Sequence, residues 1–370
     1  MTAARLSDDD ARERVEALVA AARALVCDER GVFAPDGDLV ARMADASGLS
    51  VPNVHHALEH ALEWQAARSD CASLVAGAGA RQEGPLALVL AANVTTAALR
   101  ALACAVARSH EVVVYPSSRD AVLARELVRA AGIPGLSLVD RREAVPWSDP
   151  RAHTVLYGSA RTAAELRARV AGTLEVHGPG LGVAILTDEA DDDAIAALAD
   201  DVAAFDQRGC LSPRIALHIG SEARGAAIAE RLHAALDRLG AARPIGSLDE
   251  EDRIARGAFR RAGMLLGRVW SGPHGVVVHE TSAPPAPAPA ARTITVHTVR
   301  DRAEASAWIA PVTPLLSSLG ARDAALRESF LAGASLRRSD LGRMQRPPFD
   351  GPVDLRPHGP PHGPKGAVSG

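Results

Sequence analysis

The sequence predicts an α/β protein built on parallel sheets, and three observations lead there. Short, continuously apolar runs recur at residues 86–93 (LALVLAAN), 111–118 (EVVVYPSS), 136–140 (LSLVD), 153–159 (HTVLYGS) and 182–188 (GVAILTD). A run that is apolar throughout, rather than at alternate positions, is what a strand covered on both faces requires. Helical stretches separate these runs, and strand–helix alternation gives parallel sheets with helices on both faces. The 370 residues also suffice for two compact lobes of ordinary size.

In chain order, residues 7 to about 80 carry helical patterning, broken by the turn Ala34-Pro35-Asp36-Gly37 and by Gly48. The opening MTAARLSDDDARERVEALVAAARAL reads as an amphipathic helix with an acidic cap. A signal peptide would need a basic start and an apolar stretch. After the 86–93 run, Thr95 or Thr96 is placed to cap the helix AALRALACAVAR. EVVVYPSS gives a second strand and residues 119–131 a second helix. The stretch DEADDDAIAALADDVAAF (188–205) predicts a helix whose acidic start complements the macrodipole. It leads through DQRGCLSPR into the strand IALHIG (215–220), followed by a helix over 221–239. VVVHE (276–280) and RTITVHTV (292–299) predict two more strands. Between them APPAPAPAA reads as an extended loop, because proline cannot donate within a sheet. The Pro/Gly-rich end, RPHGPPHGPKGAVSG, reads as disordered.

Composition narrows the function classes. A net charge of -4 offers no basic field for nucleic acid. Lys365 is the only lysine, so arginine forks carry the cationic work. No apolar run is long and uncharged enough to cross a bilayer. Cys27, Cys71, Cys104 and Cys210 are widely spaced without a CxxC pair, which suits reduced thiols in a cytoplasm. No Cys/His spacing matches a zinc site, and the acidic cluster from Asp188 to Asp193 is explained as a helix start, so no metal is expected.

A cysteine in a soluble enzyme is most often a small buried hydrophobe. Cys27, Cys71 and Cys104 lie in helical apolar patterns that fit this reading. Cys210 follows a glycine, between a helix end and a strand, with Arg208 and Arg214 on either side. A Gly-Cys turn lets backbone N–H groups converge beside the sulfur, and nearby arginines would favour the reactive thiolate. On pattern alone, nucleophile and buried hydrophobe stay equally open for Cys210.

The segment AFDQRGCLSPR (204–214) is similar to the active-site segment of the acyl-CoA reductase family, which includes the fatty-acid reductase of luminous bacteria and belongs to the aldehyde dehydrogenase superfamily. LVLAANVTTAALRALACAVARSHEVVVYPSS (88–118) resembles that family's strand–Asn-Val–helix–strand unit. LRRSDLGRMQRPPFDGP (336–352) resembles its C-terminal Gly-Arg-Met-Gln-x-Pro-Pro signature. The resemblance implies an aldehyde-dehydrogenase-like fold of two Rossmann-like lobes. In it, an N-terminal helical segment (1–82) packs on an NAD(P)-binding lobe (83–187), followed by a catalytic lobe (188–345) and a partly disordered extension (346–370). It further implies that Cys210 attacks an acyl-CoA or acyl-protein thioester. Asn93 would complete the oxyanion hole with the Cys210 N–H, and NADPH, with NADH as the alternative, would reduce the acyl group to an aldehyde. A homo-oligomer is implied as well.

On the cofactor side, Tyr115-Pro116 stands where aldehyde dehydrogenases carry Lys-Pro, followed by Ser117 and Ser118. Tyr115 supplies a hydrogen bond but no charge. Arg119 is a candidate for a 2′-phosphate, or else a solvated helix-start residue. Gly158-Ser159 matches a glycine-serine turn close to the cofactor in relatives, where glycine permits close approach to a pyrophosphate; a plain strand-to-helix turn explains it equally. Hydrolytic relatives carry a water-activating glutamate before a Gly-Gly turn. Here the text is LEVHGPGLGV (174–183), which leaves Glu175 or His177 as the candidate acid or base. Loss of that base is consistent with thioester reduction. Two other readings stand beside it: an aldehyde dehydrogenase working in the oxidative direction, and a shortened non-catalytic relative acting as a binding or scaffold protein.

Overall fold

The computed structural model describes residues 6–91, 94–117 and 119–357. Four helices come first: α1 (Asp8–Val26), α2 (Gly37–Ser47), α3 (Val51–His60) and α4 (Arg68–Gly77). Ser7 and Asp36 cap the first two through their side chains, and Gly48, at φ 70°, ends α2 in the left-handed conformation that glycine adopts without penalty.

The first sheet holds β1 (Leu86–Val89), β2 (Val112–Tyr115), β3 (Leu136–Leu138), β4 (His153–Tyr157) and β5 (Thr173–His177), in the order β3-β2-β1-β4-β5. Every pair in it is parallel. Helices α5 (Ala97–Val106) and α6 (Val122–Ala131) cover one face and share a single apolar core with α1–α4. Helix α7 (Ala160–Arg167) covers the other.

The second sheet holds β6 (Leu181–Thr187), β7 (Pro213–Ile219), β8 (Arg268–Ser271), β9 (Val276–Glu280), β10 (Thr293–Val299), β11 (Leu316–Ala321) and β12 (Arg337–Ser339), in the order β12-β11-β6-β7-β10-β9-β8. Helices α8 (Asp192–Ala203) and α9 (Glu222–Ala242) bury one face. Helix α11 (Arg302–Ile309) and the segment of α12 (Ala324–Ser329) bury the other. Helix α10 (Glu250–Leu266) lies over β8 and β9.

Several expectations need correcting. The strand 182–188, grouped with the first lobe from sequence, pairs with β7 and β11 in the second sheet, so the chain crosses between sheets at residues 178–180. The second sheet is not wholly parallel, because edge strand β8 runs antiparallel to β9. Neither threonine caps α5: Thr96 makes no side-chain cap, and the Thr95 hydroxyl lies 3.3 Å from the Asp120 carboxylate instead. Helix α6 begins at Val122 rather than at 119. The Pro/Ala loop joins β9 to β10, which are neighbouring parallel strands, without any helix. About a dozen residues is the shortest span such a connection tolerates, and an extended proline-rich chain makes full use of that length. No helix among the described residues is long and apolar enough to cross a membrane.

Candidate active site

The C-terminal edge of the first sheet faces the N-terminal edge of the second, and a cavity of about 270 Å³ lies between them. Leu90, Tyr157, Gly158, Ser159 and His177 reach it from the ends of β1, β4 and β5. Gly209, Cys210 and Leu211 reach it from the loop before β7. Cys210 is half-buried and lines this crevice, whereas Cys71 and Cys104 sit inside the helical core. Asn93, the expected oxyanion donor, lies outside the described residues.

The loop that presents Cys210 is unusual. After α8 the chain passes through Phe205, Asp206 and Gln207 at φ 53°, 50° and 66°, three successive left-handed residues with no glycine among them. Each costs about 1–2 kcal/mol in an L-residue, so side chains must hold the turn. Phe205 is buried in the helical core. Gln207 donates to the carbonyls of Pro213 (2.7 Å) and Thr293 (2.6 Å) and accepts from the Thr293 N–H (2.8 Å). Asp206 accepts from Arg292 (2.9 Å), Asn53 (3.1 Å) and the Gly246 N–H (2.9 Å). Gly209 is closely surrounded, since a Cβ there would meet Gln345 Oε1 at 3.1 Å and Ser212 Oγ at 3.3 Å.

The flanking arginines do not supply the field expected of them. Arg208 donates to the carbonyls of Ser47 (2.6 Å) and Ser247 (2.9 Å), and Arg214 to those of Ala288 (3.1 Å) and Gln207 (3.3 Å). Burial pushes the Cys210 thiol up to about 11; Asp354 acts in the same direction and Arg356 opposes it. The resting group is therefore a thiol rather than a thiolate.

Glu175 is also displaced from its expected role. Its carboxylate is held by Arg108 (3.0 Å), His153 (2.9 Å) and His177 (3.0 Å), beside a smaller cavity shared with Cys104 and Tyr157. Burial alone would raise its pKa, but His153, His177 and Arg108 outweigh burial and hold it below the usual carboxylate range. A carboxylate so firmly ionised is a poor proton acceptor. His177 does line the main cavity, only 5% exposed, with its ring stacked on Tyr157 at 4.4 Å.

Of the expected cofactor residues, Gly158 and Ser159 line the cavity, and Ser159 caps α7 by accepting from the Thr162 N–H (3.2 Å). Tyr115 instead packs into the apolar cluster beneath α7 with Leu156 and Leu174. Pro116 is buried, and Ser117 accepts from the Arg119 N–H (3.2 Å). The same turn contributes a group that sequence reasoning missed. Asp120 lines the cavity at 8% exposure, and its Oδ2 has no partner among the described residues. Burial pushes its carboxyl up to about 6, against the Thr95 hydrogen bond.

Residues 340–356, after the last strand, form a strap across the crevice, and Gln345, Pro347 and Asp354 line the cavity from it. Asp201 fixes its start by accepting from the N–H groups of Gly342 (2.6 Å) and Met344 (2.9 Å). Arg100, 1% exposed, pairs with Glu63 (2.8 Å) and donates to the carbonyls of Pro347 (2.8 Å), Pro348 (2.7 Å) and Gly351 (3.2 Å). Arg356 binds Asp354 (2.7 Å) and the carbonyls of Gly178 (3.1 Å) and Pro179 (2.9 Å), so the strap grips the crossing between the sheets. A second, open groove of about 580 Å³ shares Pro179, Gly180 and Arg214 with the cavity and runs along Ala255 and Phe259 of α10. No group of three or more His, Cys, Asp or Glu among the described residues is arranged to hold a metal ion.

The family model described as acyl-CoA reductase (LuxC) matches residues 80–356. No curated protein sequence matches the chain. Among solved structures, it is similar to an oxidoreductase from Marinobacter aquaeolei, with a TM-score of 0.66 at 12% identity, over 92% of this chain and 79% of the other. It is likewise similar to aldehyde dehydrogenase 21 from Physcomitrella patens, solved with the reaction product succinate, with a TM-score of 0.66 at 15% identity, over 94% of this chain and 80% of the other. An NAD-dependent benzaldehyde dehydrogenase from Corynebacterium glutamicum gives a TM-score of 0.63 at 16% identity, over 90% and 81% of the two chains. At such identities the shared property is the fold, which is that of the aldehyde dehydrogenases.

Proposed function

The chain belongs to the acyl-CoA reductase (LuxC) family, and from that premise we propose that it reduces a fatty acyl-CoA, or an acyl-protein thioester, to an aldehyde through a thioester on Cys210. The observation that carries this reading is the place of Cys210, in the crevice between the two sheets on a loop held by the Asp206 and Gln207 hydrogen bonds.

Cys210 Sγ attacks the thioester carbonyl; its bond to carbon forms, the bond to the departing sulfur breaks, and the leaving thiolate takes up the proton the cysteine lost. In this reading the Cys210 N–H donates to the developing oxyanion, a type of donor that contributes about 3 kcal/mol. His177 is the imidazole of the cavity, with Glu175 orienting its ring, and is the proposed carrier of that proton. Once the acyl carbon is reduced, the tetrahedral adduct on Cys210 collapses, aldehyde leaves, and the sulfur recovers its proton.

The residues present fit a nicotinamide dinucleotide. The cavity and adjoining groove give an elongated space, the open Asp120 oxygen can accept from a hydroxyl, and the Ser159-capped start of α7 favours a phosphate. When bound in its reduced form, that cofactor supplies hydride. NADPH is the proposed donor, with NADH as the alternative: Arg119 favours a 2′-phosphate, whereas the neighbouring Asp120 favours a free hydroxyl. A homo-oligomer in the cytoplasm completes the proposal, and the four cysteines are all free.

The oxidative, hydrolytic direction is less well supported, because Glu175 is tied into its own buried network. The deciding experiment is an aldehyde assay with acyl-CoAs of graded length and both nicotinamides, comparing wild type with Cys210→Ala. Aldehyde should form and the substitution should abolish it; a fully active Cys210→Ala protein would end this reading.

A further inference from the structure

We propose that Asn53, Asp206 and Arg292 form a positioning relay for Cys210, through which the N-terminal helices set the aim of the nucleophile. The inference rests on the role given to Cys210 above and adds residues to that site. Asn53 lies before the matched stretch 80–356, yet its amide donates to Asp206 Oδ1 at 3.1 Å from α3. The same oxygen pairs with Arg292 at 2.8 Å, and both side chains of that pair are 0% exposed. Arg292 also donates to the Arg243 carbonyl (2.9 Å), and the Ala291 N–H to the Asp206 carbonyl (3.1 Å).

Two features separate a positioning device from ordinary core polarity. A buried ion pair rarely stabilises a fold more than apolar residues of the same shape would, so stability alone does not account for this one. Moreover, it joins two left-handed stretches, 205–207 and 291–292, where the backbone would otherwise relax. Cys210 follows within four residues, next to Gly209, where an added Cβ would crowd Gln345 and Ser212. Arg208, on that loop, grips the Ser47 carbonyl at the end of α2, so the helices hold the nucleophile loop at two points.

The test uses full-length Asn53→Ala and Arg292→Lys, each checked for folding by circular dichroism and melting. Two measurements follow: the rate of Cys210 alkylation by iodoacetamide against pH, and kcat and KM for acyl-CoA reduction. A loosened loop admits water to the thiol, so the alkylation profile should move about one pH unit lower while kcat falls tenfold or more and KM stays within twofold. Folded variants that keep the wild-type alkylation profile would overturn the proposal. If Arg292→Lys does not fold, Asn53→Ala decides alone. Alkylation needs no acyl substrate, so a wild-type protein that forms no aldehyde would refute the reductase reading and still leave this one decided.

Discussion

Cys210 combines a place in the crevice with a resting proton. Thiolate is the form that reacts, and a thiol lifted to about 11 is only about one part in a hundred ionised at pH 9. Iodoacetamide labelling of Cys210 should therefore climb about tenfold per pH unit from 8 to 10 with no plateau, read by peptide mass spectrometry. An ordinary cysteine would level off earlier. Asp120 makes the second prediction at this scale. Its carboxyl, lifted to about 6, is ionised above that pH and protonated below it, so dinucleotide affinity should weaken as pH falls through 6. Asp120→Asn should flatten this dependence and weaken binding about tenfold at pH 7.5, measured by fluorescence titration. The local Gly-Cys pair before a buried strand singled out Cys210, and the resemblance of residues 204–214 gave it its proposed role. Asp354, Arg356 and Arg292 were not, because they reach the site from remote stretches of chain and only the fold brings them there. Arg208 and Arg214 misled for the converse reason: neighbours in sequence, they spend their donors on backbone carbonyls elsewhere.

Among elements, the buried strands were the easiest to read, since continuous apolar runs such as LALV and GVAIL have little alternative. Strands β5, β8, β11 and β12 escaped notice. Three of them lie at the edge of a sheet with one side open, which removes the pressure for a continuous apolar run, and interior β11 reads LSSLGA, whose serines and glycine break one. The acyl-CoA reductase signature at 342–348 was legible as text but not as a strap, because its shape depends on Asp201 and Arg100. Arg100→Lys tests the strap. A single ammonium can keep the Glu63 pair but cannot reach three carbonyls in a fork, so about 2 kcal/mol of stability should be lost. Amide hydrogen exchange at 349–351 should quicken at the same time. Unchanged exchange would mean that other contacts hold this segment.

At the scale of the whole molecule, the two halves are tied through one apolar core. Phe205 from the second half and Phe349 from the strap both enter the core built by the N-terminal helices. Tryptophan fluorescence, with reporters in both halves (Trp64 and Trp308), should thus follow the same urea transition as far-ultraviolet circular dichroism. Two separated midpoints would show independent lobes. That core also carries an alkaline weakness. Burial lifts the Cys104 thiol from 9.0 to about 12, so the folded protein keeps a proton that the unfolded chain gives up. The stability this contributes is whole below pH 9 and is lost as pH rises toward 12, by up to about 1.4 kcal/mol per unit. Cys104→Ala should flatten the fall in stability between pH 9 and 11.

The strap has a bearing on biosynthesis. Chains leave the ribosome in order, and the N-terminal parts fold first. Cys210 and most of its crevice lining are therefore made before the cover that Asp201 and Arg100 hold. A nascent chain stalled short of residue 342 would leave Cys210 in a cleft without its strap.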